Sequence, residues 1–276
     1  MERHPVAILV LAILLFVIGL VAIIISVGRV RFERRVARET HALLLAPHSL
    51  LPEVACDLPA PVERYRRLAV GSRAPVHTMR LDHHGTFRTS MTAKESTIHG
   101  TQIFTADPPG FLWTGHIQTM PGVWLDVRDM LVEGTGNMRV LLEDVVPVVD
   151  ESGPHIDQGS ALRLLAEMVW YPTSLFDSRS VTWSAIDEHH ARATLLTGGR
   201  TVSGVFTFGD DGLPESMAAE RFADDGMLRA WGGSYGDWRT VSELRVPFEA
   251  KVTWHLESGP VTYAHWLVDS MEFDRL

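Results

Sequence analysis

Cysteine is nearly absent from this chain of 276 residues, in which Cys56 is the only one. An intrachain disulfide and a cysteine-based zinc site each need more than one thiol, so both are excluded. Lysine is also scarce, since only Lys94 and Lys251 occur among the 25 basic residues. The sequence has no phosphate-binding glycine loop, paired-carboxylate motif or cofactor fingerprint, and no cofactor is predicted.

Positive charge is concentrated near the N-terminus. The formal net charge is -9, yet residues 1–40 contain six arginines and only three glutamates, so the acidic excess lies in the rest of the chain. Binding to nucleic acid needs a basic face that contacts phosphates. A nucleic-acid partner is therefore excluded for the body of the protein. Its hydrophobic content of 46% is sufficient to form a packed core.

Residues 6–27, VAILVLAILLFVIGLVAIIISV, form a long apolar run without charge. As a helix the run reaches roughly 33 Å, which exceeds the hydrocarbon core of a bilayer at about 30 Å. The alternative is a cleaved signal peptide, whose apolar stretch is shorter and ends at small residues, and no such site follows. Residues 1–45 therefore predict a transmembrane helix with a basic juxtamembrane extension, which is retained in the cytoplasmic membrane of a bacterium.

The arginines around the apolar run predict its orientation. One arginine precedes the run, and five follow it: Arg29, Arg31, Arg34, Arg35 and Arg38. By the positive-inside rule this distribution favours a domain in the cytoplasm. The same arginines also suit anionic lipid headgroups, although the simpler interpretation is that they fix the position of the span.

The hydrophobic pattern changes along the chain. Residues 46–61 are rich in proline and predict a linker, and Pro61 suits the start of a short helix that ends near Gly71. From there the period is two, as in residues 111–117. A long antiparallel meander curls because sheets twist. Residues 62–276 therefore predict a mainly β (α+β) domain, a curved antiparallel half-barrel of about 10–11 strands.

One helix, residues 158–171, interrupts the predicted strands. Asp157 or Ser160 is expected to cap its start, and Tyr171 before Pro172 marks its end. In LRLLAEMVWYP the apolar arc is wider than the roughly 100° of a surface helix. We expect this helix to cover the opening of the curved sheet as a lid. Its charged residues Arg163 and Glu167 lie four apart and are expected to pair.

Several segments together resemble a known family. The succession RYRRLA, GTFRTS, PPGFLWTG, VEGTGNMRVLLEDVVPV, LRLLAEMVWYP, AWGGSYGDWR and RVPFEAKVTWHLESGPVTY, within residues 62–273, is similar to bacterial proteins of the DUF6544 type. That resemblance implies an architecture like that of the LolA and LolB lipoprotein carriers, which are half-barrels with a concave apolar face covered by helices. It also implies a location outside the cytoplasmic membrane, in conflict with the arginine distribution.

Aromatic residues are the main candidates for a binding site. A cavity lined by rings and closed by the helix would bind an apolar ligand or lipid moiety without covalent chemistry. The candidate ligand-binding residues are Trp113, Trp124, Arg163, Glu167, Trp170, Arg221, Trp231, Trp254 and Tyr263. The alternative is that the aromatic residues form an ordinary filled core. The protein would then be an interaction module at the membrane or envelope, with a protein partner that the sequence does not identify.

Enzymatic and metal-dependent functions have weaker support. GGSYG, residues 232–236, fits the G-x-S-x-G pattern of a nucleophile elbow and makes Ser234 a candidate for a hydrolase, but the elbow also needs a preceding strand and a following helix. The pairs His83–His84 and His189–His190 lie beside acidic residues. Adjacent residues of a strand point to opposite faces, so neither pair forms a chelate alone. No catalytic residue and no metal ligand are predicted.

Overall fold

The computed structural model describes residues 3–45, 57–223 and 225–275. The α-helices are α1 (Arg3–Leu44), α2 (Ala60–Ala69) and α3 (Pro154–Glu167). The strands are β1 (Thr78–Phe87), β2 (Ser96–Ala106), β3 (Pro109–Met120), β4 (Val123–Val132), β5 (Thr135–Leu142), β6 (Val146–Ser152), β7 (Val181–Ala185), β8 (His190–Thr197), β9 (Arg200–Phe208), β10 (Pro214–Phe222), β11 (Leu228–Val241), β12 (Leu244–Leu256) and β13 (Gly259–Phe273). Short 3-10 helices cover Met168–Trp170 and Pro172–Phe176.

The described strands form one antiparallel sheet of 13 strands in the order β6-β5-β4-β3-β2-β1-β13-β12-β11-β10-β9-β8-β7. Two meanders, β1–β6 and β7–β13, are joined by the pairing of β1 with β13. The sheet is curved and not closed, because β6 and β7 are edge strands and do not pair with each other. The predicted mainly β half-barrel is confirmed.

The prediction of 10–11 strands was too low. In the edge strand β6, six of the seven residues are exposed, so the alternation of buried and exposed residues on which the count rested is missing there. An edge strand pairs with a neighbour on one side only, and both of its faces can remain exposed. Strands of this kind are the ones that a periodicity argument overlooks.

Helix α3 connects the two edge strands and lies against the inner face of the sheet, where it contacts β4, β5, β9 and β10. It begins at Pro154, four residues before the predicted start, because Pro154 occupies the first turn and Gly153 precedes it. Asp157 therefore does not cap the helix. Its carboxylate accepts a hydrogen bond from the backbone N–H of Gly136 at 2.8 Å and pairs with Arg200.

The two meanders also meet through their turns. Gly134 lies in the β4–β5 turn and Gly198 in the β8–β9 turn, and both have positive φ angles. A Cβ atom on Gly134 would lie 2.8 Å from the Cα of Gly198, and one on Gly198 would collide with the carbonyl oxygen of Glu133. Only glycine allows both this backbone conformation and this approach. The contact holds the open sheet in its curved form.

Helix α1 is long and apolar enough to cross a membrane, by length and composition, and it is one continuous helix from residue 3 to residue 44. Its second half packs on the outer face of the sheet. Glu39 pairs with the buried Arg128 at 3.0 Å, and Leu43, only 2% exposed, lies beside Gly110. Most of the predicted linker, residues 46–56, lies outside the described residues, and α2 begins at Ala60 with Pro61 in its first turn.

We expect Gly198→Ala to lower the free energy of unfolding by about 3 kcal/mol, because the added methyl group combines left-handed backbone strain with a steric clash. Gly199→Ala is the matched control. Gly199 also has a positive φ, 73°, but a Cβ there would meet nothing within 4 Å, so a loss of about 1 kcal/mol is expected. Urea unfolding of both variants in detergent measures the difference, and equal losses would show that the turn contact is not stabilising.

Candidate functional site

The interior of the half-barrel is filled by protein side chains around the predicted aromatic residues. Trp113, Trp170 and Trp231 are only 2–3% exposed, and Trp254 is 8% exposed. A ring with almost no accessible surface leaves no space for a water molecule beside it. The ring-lined cavity predicted from the sequence is therefore not present around these residues. Aromatic packing contributes to the core here, as the alternative interpretation proposed.

A buried polar network, centred on Arg163 of α3, lies within this core. The Arg163 guanidinium donates hydrogen bonds to Asp129 at 2.7 Å, to Glu167 at 2.8 Å and to the side-chain oxygen of Gln102 at 2.9 Å. The amide nitrogen of Gln102 donates to Glu167 at 2.7 Å. The predicted pairing of Arg163 with Glu167 is confirmed. Burial raises the pKa of Glu167, and the charge of Arg163 opposes that shift.

Aromatic rings surround this network. The guanidinium of Arg163 lies 4.8 Å from the ring centre of Trp113 and 4.9 Å from that of Phe111. The indole N–H of Trp113 donates to Nε2 of the buried His83 at 2.9 Å. Burial lowers the pKa of His83 to about 3, with a further contribution from the positive charge of Arg163. Each of the three guanidinium nitrogens of Arg163 has a hydrogen-bond partner, and these contacts tie α3 to β2, β3 and β4, which is a structural role.

Four of the other predicted residues form a second cluster. Arg221 lies 5.0 Å from the ring centre of Trp231 and 6.0 Å from that of Trp254. The hydroxyl of Tyr263 accepts hydrogen bonds from Arg221 at 3.3 Å and from the indole of Trp231 at 3.1 Å. This cluster joins β10 to β13 across the inner face of the sheet.

The remaining two predicted residues are separate from both clusters. Trp170 donates its indole N–H to the carbonyl oxygen of Pro247 at 3.1 Å and fixes the end of α3 against β12. Trp124 lies on the outer face of the sheet, where its ring stacks on His116 at 4.1 Å. The assignment of Trp124 to an interior cavity was wrong, because its position in β4 alternates with the inward Leu125 and Val127.

Accessible space lies where β9 and β10 separate. Their pairing ends at Ala218 and Val205, although β10 continues to Phe222 and β9 extends back to Arg200. The gap between the diverging strands is a cavity of about 620 Å³, open to solvent, which we call the seam cleft. It is lined by Gln158, Leu162, Arg192, Thr201, Val202, Ser203, Val205, Ala218, Ala219, Glu220, Phe222 and Leu228.

Helix α3 provides the floor of the seam cleft. It also binds the part of β10 that no longer pairs with β9. The side chain of Gln158 donates a hydrogen bond to the carbonyl oxygen of Glu220 at 2.8 Å and accepts one from the backbone N–H of Phe222 at 3.3 Å. These two backbone groups belong to the part of β10 that no longer pairs with β9. Gln158 thus takes the place of a neighbouring strand for these two backbone groups of β10.

The lining of the seam cleft suits a chain with a polar end. Its walls combine aliphatic and aromatic side chains, including Leu162, Val205 and Phe222, while Arg192 and Glu220 add one charge of each sign. None of the lining residues of the seam cleft was among the candidate residues predicted from the sequence. The one local signal is the pair of adjacent alanines, Ala218 and Ala219, in a strand, where alanine is depleted and leaves room that larger side chains would occupy.

The structure does not form a nucleophile elbow at the candidate Ser234. Ser234 lies within β11, paired with Ser216 and Lys251, and no helix follows it. Lys251 in turn pairs with His265, so His265 is two strands away, about 10 Å from Ser234. The histidine pairs are divided between faces or turns, with His84 bound to Asp269. Among the described residues, no group of three His, Cys, Asp or Glu side chains is placed to hold a metal.

We expect Arg163→Met to lower the free energy of unfolding by about 3–5 kcal/mol, because Asp129 and Glu167 would be buried without their cation. The matched control is Arg139→Met. Arg139 pairs with Asp150 at 2.9 Å, but Asp150 is about half exposed, so the expected loss is below about 1 kcal/mol. Urea unfolding measures both values, and a small loss for Arg163→Met would show that the network is not stabilising.

The buried His83 predicts a stability change in acid. Its pKa is about 3 in the fold and ordinarily near 6.5, so the unfolded chain binds the proton more readily, and stability falls as the pH drops below about 6.5. The loss from this group between pH 6.5 and pH 4 is about 3 kcal/mol. His83→Gln keeps an acceptor for Trp113 and does not titrate. Its unfolding free energy should change less over this range, and an unchanged pH dependence would contradict the assignment.

A family model agrees with the resemblance noted in the sequence, and solved structures are similar to the chain at low sequence identity. A DUF1329 family protein from Desulfovibrio piger is 10% identical, with a TM-score of 0.45 over 79% of this chain and 95% of that chain. A LolA superfamily protein from Nitrosomonas europaea is 11% identical, with a TM-score of 0.44 over 80% of this chain and 96% of that chain. No curated protein matches the chain in sequence. The model of DUF6544, a family of unknown function, matches residues 51–266, and the chain therefore belongs to the DUF6544 family.

Proposed function

We propose that this protein is a membrane-anchored, non-catalytic binding protein for a molecule with an apolar chain, and that the chain is bound in the seam cleft. The observation that carries the proposal is the open cavity of about 620 Å³ between β9 and β10. This volume lies within the range of about 300–1,000 Å³ that is typical of small-molecule sites. The filled interior, in contrast, has no part in binding.

Desolvation would supply the binding energy. Each buried methylene group contributes about 0.8 kcal/mol, so a chain of ten carbons gains up to roughly 8 kcal/mol before the costs of ordering are subtracted. Leu162 of α3, only 1% exposed, closes the floor, while Val202 and Val205 of β9 and Phe222 of β10 are partly exposed and provide the apolar walls. Arg192 and Glu220 would contact a polar end of the ligand. Helix α3 therefore acts as the floor of the site, whereas the sequence had suggested a lid.

The retained anchor is part of the same proposal. Helix α1 runs without interruption from the apolar residues 6–27 into the segment that packs on the sheet through Glu39 and Leu43. A signal peptidase needs an extended cleavage site, and the continuous helix offers none after the span. We infer that the chain stays in the cytoplasmic membrane of a bacterium, where the anchor keeps the seam cleft near lipid.

The second candidate is the interaction module. The observation that favours it is the filled interior around Trp113, Trp170 and Trp231, since a packed core needs no ligand. In that case the outer faces of the sheet would contact a protein partner, and the seam cleft would contain only water. The two candidates differ in whether an apolar chain binds between β9 and β10.

Binding of a dansyl-labelled long-chain fatty acid to the full chain in detergent-free nanodiscs tests the proposal. We expect saturable binding, which Ala218→Trp should weaken at least tenfold, because an indole at this lining position fills the cleft. The matched control is Ala185→Trp, an exposed alanine on the edge strand β7 that is not among the residues lining the cleft. It should bind the fatty acid like the unsubstituted chain.

Native mass spectrometry of the same preparations adds a readout that does not depend on the label. A co-purifying lipid on the unsubstituted chain and on Ala185→Trp, and its loss from Ala218→Trp, would support the seam cleft as the site. Equal binding by all three proteins would place the ligand elsewhere. No saturable binding and no co-purifying lipid would favour the interaction module.

A further inference from the structure

Exposed apolar residues gather at the end of the sheet from which α1 leaves the domain. Met120, at the tip of the β3–β4 hairpin, is 60% exposed. Val146 and Val148, at the start of β6, are 52% and 57% exposed. We call these three residues, with Pro121 and Gly122 of the hairpin turn, the apolar rim. Scattered surface hydrophobics are common, so the position of the rim relative to α1 decides its meaning.

The β5–β6 turn lies at the level of the first residue after the apolar run of α1. A Cβ atom on Gly28 would lie 2.7 Å from a methyl group of Val145 and 2.8 Å from the carbonyl oxygen of Asp144. The apolar run ends at residue 27. Val145 is followed directly by Val146 of the apolar rim. The start of β6 is therefore at the boundary between the apolar run and the rest of α1.

The β3–β4 hairpin extends further in the same direction. Leu142, the last residue of β5, pairs with Leu125 of β4, which pairs with Ile117 of β3. The tip at Pro121 lies four residues beyond Ile117, whereas the β5–β6 turn lies one to three residues beyond Leu142. At about 3.3 Å per residue the tip reaches several ångströms past the turn, up to about 10 Å. At 1.5 Å per residue that distance corresponds to about two to seven residues of α1, within its apolar run.

The composition of the hairpin suits the interface of a bilayer. Residues 117–125, IQTMPGVWL, contain no charged side chain. Trp124, half-buried against His116, lies beside the tip, and tryptophan is enriched at the level of lipid headgroups. Arginines 29, 31, 34 and 35 of α1 begin at the level of the β5–β6 turn, where their charges would meet headgroup phosphates. The apolar hairpin tip, the ring of Trp124 and the arginines of α1 thus lie in the same order as the acyl chains, the interface and the headgroup phosphates of a bilayer.

We propose that the apolar rim is a second membrane contact, in which the tip of the β3–β4 hairpin inserts into the same bilayer that α1 crosses. This inference rests on the membrane anchor of the proposed function and is independent of the seam cleft. Insertion removes Met120, Val146 and Val148 from water. It also places the first residues of the edge strand β6 against lipid headgroups, which protects them from pairing with another chain.

Site-specific fluorescence of the full chain in lipid vesicles tests the inference. In a Cys56→Ser background, single cysteines at Met120→Cys, Val148→Cys, Leu15→Cys and Thr135→Cys carry the dye NBD, and the vesicles contain phosphatidylcholine with a nitroxide on its acyl chain. Thr135 is the matched control, since it is exposed at the opposite end of β5. We expect strong quenching and blue-shifted emission at positions 15 and 120, weaker quenching at 148, and none at 135.

The outcomes separate the two proposals. Quenching at position 15 without quenching at 120 and 148 would overturn the second membrane contact and leave the anchor in place. Absence of quenching at position 15 would overturn the anchor and, with it, this inference. Equal quenching at 120 and 135 would also contradict the inference, because the contact would then not be specific to the apolar rim.

Discussion

The structure depends on one constraint, which is that the 13-stranded sheet curls without closing. An open sheet leaves its inner face without a partner, and this apolar surface must be covered. Helix α3 lies in the chain between β6 and β7, the two edge strands of the sheet. The helix is therefore placed where it can cover the inner face. The Arg163 network then fixes this helix inside the curl, and the contact of Gly134 with Gly198 holds the two meanders together where hydrogen bonds between strands do not.

The seam cleft follows from the same arrangement. A helix inside a curved sheet occupies more width than the side chains of two facing strands, and β9 and β10 diverge beside α3. Two of the backbone groups of β10 that lose a strand partner, those of Glu220 and Phe222, are bound by Gln158. The opening is thus stabilised by the helix that fills the interior. A filled core and an open seam cleft are two results of one packing arrangement, and the cleft opens on the outside of a domain whose interior is filled.

Much of the fold could be predicted from the sequence, because periodicity is a local property. The alternation in residues 111–117, the continuous apolar run and the i, i+4 pair of Arg163 and Glu167 all have their predicted structure. The site could not be predicted, because it depends on where two strands separate. Trp124 shows the same limit, since composition identified an aromatic residue but only the register of β4 placed it on the outer face. Asp157 does not have its expected capping role because α3 begins at Pro154, and its carboxylate instead binds Gly136 and Arg200.

The continuity of α1 limits how far the domain can move from a membrane that the helix crosses. A domain on a flexible tether samples many distances from its membrane and can meet a second membrane or a distant carrier. In the proposed membrane-anchored arrangement, the apolar run and the segment bearing Glu39 and Leu43 are one continuous helix, so the height and tilt of the domain would be set by that helix. Each ligand or partner would have to reach the protein at one fixed distance from the membrane surface. Exchange of a ligand with the adjacent leaflet would then need no movement of the domain. Transfer of the ligand across an aqueous compartment would need a separate carrier protein.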